Sequence, residues 1–400
     1  MTLADLVFNA SAVQNSRCSM HPHINSNEFA DPEWERIRND WRDEIFLPVL
    51  RGQVQRAMDT MPKVYHSYGE RGIDHRDIRT MDNFYSLPVL PKDASFGIRG
   101  LRQLASEDPY ALLPNDVEGS ATAYFSGGTR AGTLGPSPTF LTPWDIEVES
   151  HAFARLYERS GLKRGSVVIN TYNASHKGGR AVIAALEKLG CIHIQAKSSD
   201  KAEDIAGYIQ QFGARGVVLI GVQPPVTEGD PQGKGSGRTI HAIRDVDPIA
   251  FDEYVKHVQI GGSPIIPELE AWSRSGIGKP VISIYGATEV LPVFFGTGYG
   301  LEDRLCKYNT LHASYGPHLV EVLKLEGKRM VPVQKGETGL LALTTVFREG
   351  TILLRYLIGD EARFIGDWNS CPCGATTPLY DNIRRTDVPE EILNTGCVSL

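Results

Sequence analysis

The sequence predicts an α/β fold in which parallel strands alternate with helices, followed by a smaller β-rich subdomain. Between residues 166 and 284, short apolar segments typical of buried strands alternate with helical segments, as in parallel βαβ units with helices on both faces of a sheet. After Gly300 the pattern changes to shorter strands, which predicts a small distorted β-barrel. The 400 residues, 41% hydrophobic and 22% charged, allow a sizeable core.

The elements are expected in the following order. Residues 1–30 are polar and mixed and predict a loose arm, whereas tryptophan, isoleucine and phenylalanine recur at helix spacing between residues 31 and 70. Strands are expected at residues 166–170, 191–195, 216–220, 257–261 and 280–284, with helices at 180–189 and 202–212. In the β-rich part, strands are expected at residues 318–323, 339–345 and 351–356. This gives an arm (1–30), α/β subdomains (31–300), a β-rich subdomain (301–388) and a tail (389–400).

Bulk composition excludes several classes of function. The net charge of −7 gives no basic surface for nucleic acid. No stretch reaches the roughly 18 apolar residues that a membrane helix needs, and the N-terminus shows no signal peptide. We therefore expect a cytoplasmic protein without nucleic-acid or membrane partners, in which clustered cysteines indicate metal or catalytic sites before disulfides.

A glycine- and hydroxyl-rich segment at residues 124–133 is a candidate phosphate loop. Glycines let backbone N–H groups approach phosphate oxygens closely, and hydroxyls add donors. The segment lacks the Gly-Lys-Ser/Thr of the P-loop NTPases. Taken alone, it is weak evidence, and a surface turn is the commoner reason for such a segment.

A second motif, at residues 283–289, follows the strand expected at 280–284. Ligands of open α/β sheets bind outside the carboxyl ends of strands. Tyr285 offers a ring face for a base, Thr288 a hydroxyl for a phosphate and Glu289 a carboxylate for Mg²⁺. The alternative is a plain strand end followed by a turn.

A third motif, at residues 354–360, places Asp360 after a strand and a glycine. An ionised aspartate is an acceptor-only group that can take two ribose hydroxyls. The alternative is a simple turn aspartate.

Four residues have the chemistry of a structural zinc site. Cys306 and His312 are spaced C-x5-H, and Cys371 and Cys373 are spaced C-x-C around a proline. Such ligands suit a closed tetrahedral Zn²⁺ site, and Pro372 with Gly374 supplies the turn that places both sulfurs on one ion. The alternative is two unrelated pairs, and His318 is a rival ligand.

Together these motifs resemble the signatures of the acyl-adenylate-forming superfamily, and their residues resemble those of the phenylacetate–CoA ligase family. The likeness includes residues 68–92, 336–340, 344–345, 348–350 and 354–356 and spans about residues 45–388. It implies that ATP activates a small carboxylic acid, aromatic by family analogy, and that CoA or a phosphopantetheine thiol accepts it. Family members with Cys-Pro-Cys-Gly also pair it with an upstream cysteine and histidine, as a zinc site would.

The resemblance assigns a role to each candidate residue. The assignments are Ser126, Gly127, Gly128 and Thr129 for the phosphates, Tyr285 and Gly286 for adenine, Thr288 for the α-phosphate, Glu289 for Mg²⁺, and Asp360 and Arg385 for ribose. Residues 173–179 fall where the acyl pocket begins, so His176 meets substrate or is structural. Gly261 and Gly262 stand where the family has the first two residues of Gly-Gly-Glu, and the resemblance places them at the substrate.

The chain also departs from the family. Arg130-Ala131 replaces glycine and lysine in the phosphate loop, so Arg130 supplies the charge or ATP binds poorly. Ser263 replaces the usual glutamate, and the family hinge is altered around Arg385. Only thirteen residues follow Asp387, so the small C-terminal domain with its lysine is expected to be absent.

Two other functions remain open. Cys397 resembles, in its placement, the acyl-accepting cysteine of the acyl-protein synthetases of bacterial bioluminescence; the alternative is an inert tail cysteine. An acyltransferase could therefore move an acyl group between acyl-CoA and an acyl carrier protein without adenylation, or the chain could be a non-catalytic binding subunit. Family members are often homodimers.

Overall fold

The chain folds into two compact units. The computed structural model describes residues 39–92, 100–125, 137–222, 239–261, 277–297, 311–313, 318–367, 370–371, 377–389 and 391–392. The first unit comprises Met1–Glu149, Ala287–Val290 and Ala313–Leu400, and the second comprises Ser150–Gly286 and Leu291–His312. The boundary predicted at residue 300 stays a prediction.

The described residues form the following elements. The helices are α1 (Asn39–Thr60), α2 (Pro62–Glu70), α3 (Met81–Tyr85), α4 (Leu101–Glu107), α5 (Pro143–Arg159), α6 (Lys177–Lys188), α7 (Ala202–Phe212), α8 (Ile240–Val246) and α9 (Pro248–Tyr254). The strands are β1 (Leu90–Pro91), β2 (Thr122–Phe125), β3 (Pro138–Leu141), β4 (Val167–Asn170), β5 (Ile192–Gln195), β6 (Val217–Val222), β7 (Val255–Gly261), β8 (Val281–Ala287), β9 (Val290–Thr297), β10 (Leu311–Ala313), β11 (His318–Glu326), β12 (Arg329–Pro332), β13 (Thr338–Thr345), β14 (Tyr356–Gly366) and β15 (Leu379–Arg385).

The first unit joins N-terminal helices to an antiparallel half-barrel. Its strands lie in the order β12-β11-β13-β14-β15, with β1 parallel to β14. Between β13 and β14 the register shifts, because Leu340 pairs with Glu361 whereas Ala342 pairs with Leu357. Gly359 has φ +83° there, a conformation that glycine adopts without strain. The bulge that results carries the sequence of the third motif.

The second unit is a parallel α/β sheet. Its strands lie in the order β9-β8-β7-β6-β4-β5, and the β5–β4, β4–β6, β6–β7 and β7–β8 pairs are all parallel. Helices α6 to α9 lie in the connections between β4, β5, β6 and β7, as the alternating pattern predicts. One face of the sheet packs into a core that includes Val167, Ile169, Ile205, Ile209, Val217, Leu219, Ile243, Phe251, Val258 and Ile260. The predicted α/β class with a β-barrel-like part is confirmed.

One predicted strand is wrong. Residues 351–355 are irregular, and β14 begins only at Tyr356. The segment turns back on the end of β13, where the Thr345 N–H donates to the Leu353 carbonyl (2.8 Å) and the Leu353 N–H donates to Thr345 Oγ1 (3.0 Å). Arg355 has φ +47°, which ends the turn and starts the strand. Apolar β-branched composition alone could not reveal this turn.

Candidate functional site

The second motif lies on β8 and the turn that follows it. The strand continues to Ala287 rather than ending at residue 284, so Tyr285 and Gly286 are strand residues. Thr288 and Glu289 form the two-residue turn between β8 and β9. The predicted position of the tyrosine and glycine, past the strand end, is therefore corrected, while the carboxylate does lie in the turn.

Glu289 is buried and is held through one of its two carboxylate oxygens. Lys92 Nζ lies 2.9 Å from Oε1, and the Tyr356 O–H donates to the same oxygen at 3.1 Å. The Glu289 carbonyl accepts a long hydrogen bond from Arg348 Nη2 (3.4 Å). Oε2 is buried and has no hydrogen-bond partner among the described residues.

The surroundings of Glu289 stabilise its ionised form. Burial by itself would raise the pKa of this carboxyl, but the Lys92 charge and the hydrogen bonds from Lys92 and Tyr356 outweigh it, so the pKa is lowered from its usual value. An ionised carboxylate with one hydrogen-bonded oxygen, and a second oxygen that no described residue contacts by a hydrogen bond, fits a monodentate Mg²⁺ ligand. The structure is thus compatible with the predicted role of Glu289.

The two residues predicted to bind ribose pair with each other. Asp360 lies opposite Arg385 in the β14–β15 ladder, and Arg385 Nη1 lies 3.0 Å from Asp360 Oδ1. The Asp360 side chain is 4% exposed and that of Arg385 is 67% exposed. Asp360 lies inside β14, in the bulge after Gly359, and not after a strand as the motif suggested. A bulge can aim such a carboxylate away from the regular ladder.

His176 has a structural role at the start of α6. Its Nδ1 accepts a hydrogen bond from the Gly178 N–H at 3.1 Å and so caps the helix. The rest of the His176 ring can still face a ligand. The hydrogen bond from Gly178, however, supports the interpretation of His176 as a structural residue.

Position 261 has room only for glycine, because the Tyr172 side chain packs against its backbone. A Cβ on Gly261 would lie 1.6 Å from the Tyr172 hydroxyl oxygen, and a Cβ on Gly221 would lie 2.8 Å from the same ring. The ring therefore crosses the carboxyl ends of β6 and β7, at the edge of the sheet where ligands of this fold class bind.

Several predicted site residues lie outside the described part of the chain. These are Ser126, Gly127, Gly128, Thr129, Arg130, Gly262, Cys306, Cys373 and Cys397. Of the predicted zinc ligands, His312 and Cys371 are described and both are buried. The described residues contain no group of three or more metal-ligating side chains, so the zinc site stays a prediction.

Lys92 and Tyr356 were not assigned a role from the sequence. Both belong to segments that resemble the family, at residues 68–92 and 354–356, but their spacing gives no sign that they meet at Glu289. Only the pairing of β1 with β14 brings them together.

Sequence comparison gives one relative that spans most of the chain. Over 347 residues, 86% of this chain and 70% of the relative, the sequence is 23% identical to the phenylacetate-coenzyme A ligase of Thermus thermophilus. No protein-family model matches the chain.

Structural comparison gives the same fold. A structure of 2-hydroxyisobutyryl-CoA ligase with 2-HIB-AMP and CoA superposes with a TM-score of 0.70 at 18% identity, covering 89% of this chain and 70% of that chain. An open conformation of that ligase gives a TM-score of 0.67 and covers 87% and 75%. The chain has the adenylate-forming fold and resembles the phenylacetate–CoA ligases.

The protein has the parallel sheet and half-barrel expected of that fold. Among its described helices, none combines the length and apolar character that crossing a membrane requires.

Proposed function

We propose that this protein activates a small carboxylic acid with ATP and transfers the acyl group to the thiol of CoA. The observation that carries the proposal is Glu289, an ionised turn carboxylate with one buried oxygen that has no hydrogen-bond partner among the described residues, in a fold shared with acid–CoA ligases. A phosphopantetheine thiol on a carrier protein is the alternative acceptor.

The reaction has two steps, adenylation and thioester formation. An oxygen of the acid carboxylate forms a bond to the α-phosphorus of ATP, and the bond to the bridging oxygen breaks, so pyrophosphate leaves. The thiolate sulfur then attacks the acyl carbon, and AMP leaves as the carbon–oxygen bond breaks. Both steps depend mainly on positioning and on stabilising charge at phosphoryl oxygens.

Each candidate residue has its own role in this reaction. Tyr285 and Gly286 hold the adenine, and Thr288 donates its hydroxyl to the α-phosphate. Asp360 accepts ribose hydroxyls, and Arg385, which lies 3.0 Å from it, contacts the same ribose. Glu289 would hold Mg²⁺, which when bound neutralises phosphate charge.

The proposed zinc site rests on the sequence pattern alone. We propose that Cys306, His312, Cys371 and Cys373 hold a structural Zn²⁺ in this chain. Metal analysis of the purified protein tests this, and a zinc-free, folded protein would contradict it.

Acid-dependent exchange of labelled pyrophosphate into ATP tests the main proposal. With Mg²⁺ and a panel of aryl and short-chain acids, at least one acid should support exchange. Glu289→Gln should reduce the rate by about 10²-fold or more, by analogy with loss of a group that stabilises transition-state charge. Glu326→Gln, an exposed glutamate in the same unit, is the matched control.

Two outcomes would redirect the proposal. A folded protein that shows no exchange with any acid would contradict adenylation. Acyl exchange between thiols without ATP, lost in Cys397→Ala, would favour the acyltransferase.

A further inference from the structure

The backbone that leads into Lys92 is paired with β14. The strand β1 pairs in parallel with the start of β14, with Leu90 opposite Tyr356, and the Leu90 N–H donates to the Arg355 carbonyl at 3.1 Å. The Lys92 carbonyl accepts the Arg102 N–H at 3.0 Å. This two-residue strand therefore sets the position from which the Lys92 side chain starts.

The same pairing delivers two donors to one oxygen. Tyr356 is one of the two β14 residues in register with β1, and its hydroxyl and Lys92 Nζ both reach Glu289 Oε1, at 3.1 Å and 2.9 Å. The Lys92 side chain is only 12% exposed and that of Glu289 only 4%. An ion pair with so little solvent around it is weakly screened and holds its geometry well.

We propose that Lys92 is a positioning residue that commits Glu289 Oε1 to the protein and so presents Oε2 to the divalent cation. This rests on the proposed function, in which Glu289 is the metal ligand. Outer partners that orient a ligating carboxylate typically control metal affinity by 10–100-fold, as an order of magnitude. Tyr356 makes the second, neutral contact to the same oxygen.

The competing interpretation predicts the opposite sign. If Lys92 were only a counter-ion for a buried carboxylate, its charge would repel a cation bound a few ångströms away. At a pH that keeps Glu289 ionised in every variant, its removal would then leave cation affinity unchanged or increase it. The sign of the change in affinity therefore distinguishes positioning from simple charge compensation.

The test is Mn²⁺ binding to the full chain in the presence of ATP, followed by the electron paramagnetic resonance signal of the ion. Lys92→Met should weaken Mn²⁺ binding by about 10–100-fold, and Lys92→Arg should restore most of the affinity. Lys324→Met, which removes a lysine that pairs with Glu337 at 2.9 Å on the surface of the same unit, is the matched control and should bind as the native chain does.

A second variant keeps the test decisive if Lys92→Met fails to fold. Tyr356→Phe removes the neutral contact to Oε1 and leaves the Lys92 charge in place, so it should weaken Mn²⁺ binding in the same direction but less. Unchanged or tighter binding in the folded Lys92 variant, or unchanged binding in Tyr356→Phe, overturns the inference.

Glu289→Gln separates this failure from failure of the proposed function. If Glu289→Gln binds Mn²⁺ with ATP as the native chain does, the metal role of Glu289 is wrong and the proposal falls with it. If Glu289→Gln loses binding while Lys92→Met keeps it, only the role of Lys92 is wrong.

Discussion

Gly179, in the first turn of α6, has no room for a side chain. A Cβ at this position would lie 2.1 Å from the Asn173 carbonyl oxygen and 3.2 Å from Ala174 Cα. Both neighbours are backbone atoms of the loop that His176 ties to the helix, so neither can rotate away. The close approach of loop and helix therefore depends on this one glycine.

Gly179→Ala should destabilise the protein by about 1–3 kcal/mol, because the backbone must move to relieve the overlap. Gly207→Ala is the matched control, since Gly207 lies in α7, is exposed and has nothing within 4 Å of a Cβ. There alanine should stabilise by about 0.5–1 kcal/mol through helix propensity. Urea unfolding of both variants measures the two signs, and a stabilised Gly179→Ala would show that the loop can yield.

The start of β14 is organised by a buried arginine. Arg355 is completely buried; its Nε and Nη2 donate to Glu321 of β11 at 3.0–3.2 Å, and Nη2 donates to the Met330 carbonyl at 3.0 Å. Its Nη1 donates to the Leu87 carbonyl, just before β1. One side chain thus joins β11, the turn into β14 and the segment that carries Lys92.

Arg355→Met should destabilise the first unit by about 3–5 kcal/mol, because it leaves the Glu321 carboxylate buried without its partner. Adding Glu321→Gln should recover a large part of that loss, since the uncompensated charge is then removed. Urea unfolding of the single and double variants checks the coupling. Additive losses would mean that the two side chains act independently.

The sequence predicted the elements of the second unit well and the contacts of the first unit poorly. Parallel strands and helices such as β4 and α7 form from local apolar patterns, which a single sequence shows directly. The bulge at Asp360 and the turn before Tyr356 depend on positive φ angles and on pairing with β13, which no local pattern encodes. The hydrogen-bond partners of Glu289 are Tyr356, about 70 positions later, and Lys92, about 200 positions earlier. The motif therefore identified the carboxylate but could not reveal the residues around it.

Buried and half-buried tyrosines determine how stable the molecule is at alkaline pH. Burial raises the pKa of Tyr172 to about 12, and it raises the pKa of Tyr65 and of Tyr157 well above the usual value. A folded-state pKa above the unfolded value means that the stabilisation is complete below about pH 10 and is lost as the pH rises towards the folded value.

The free energy of unfolding should therefore fall between about pH 9 and pH 11, by about 1 kcal/mol for each such tyrosine at the upper end. Tyr172→Phe should show a smaller fall than the native chain, whereas Tyr110→Phe, at a side chain that is 71% exposed, should not. Urea unfolding at the two pH values measures both. An identical fall in Tyr172→Phe would mean that this hydroxyl ionises freely in the folded protein.

The first unit is split along the chain by the second, and this has a consequence for synthesis. The Tyr65 hydroxyl of α2 donates to the Ile352 carbonyl (3.0 Å), a residue 287 positions later. At about 5–20 residues per second, a ribosome would deliver that partner about 15–60 s after α2 has emerged. The contiguous part of the second unit has most of its strands by then. A nascent chain therefore holds the Tyr65 hydroxyl without its partner while the second unit is synthesised, and a message cut short inside the second unit leaves the first unit permanently incomplete and open to chaperones and proteases.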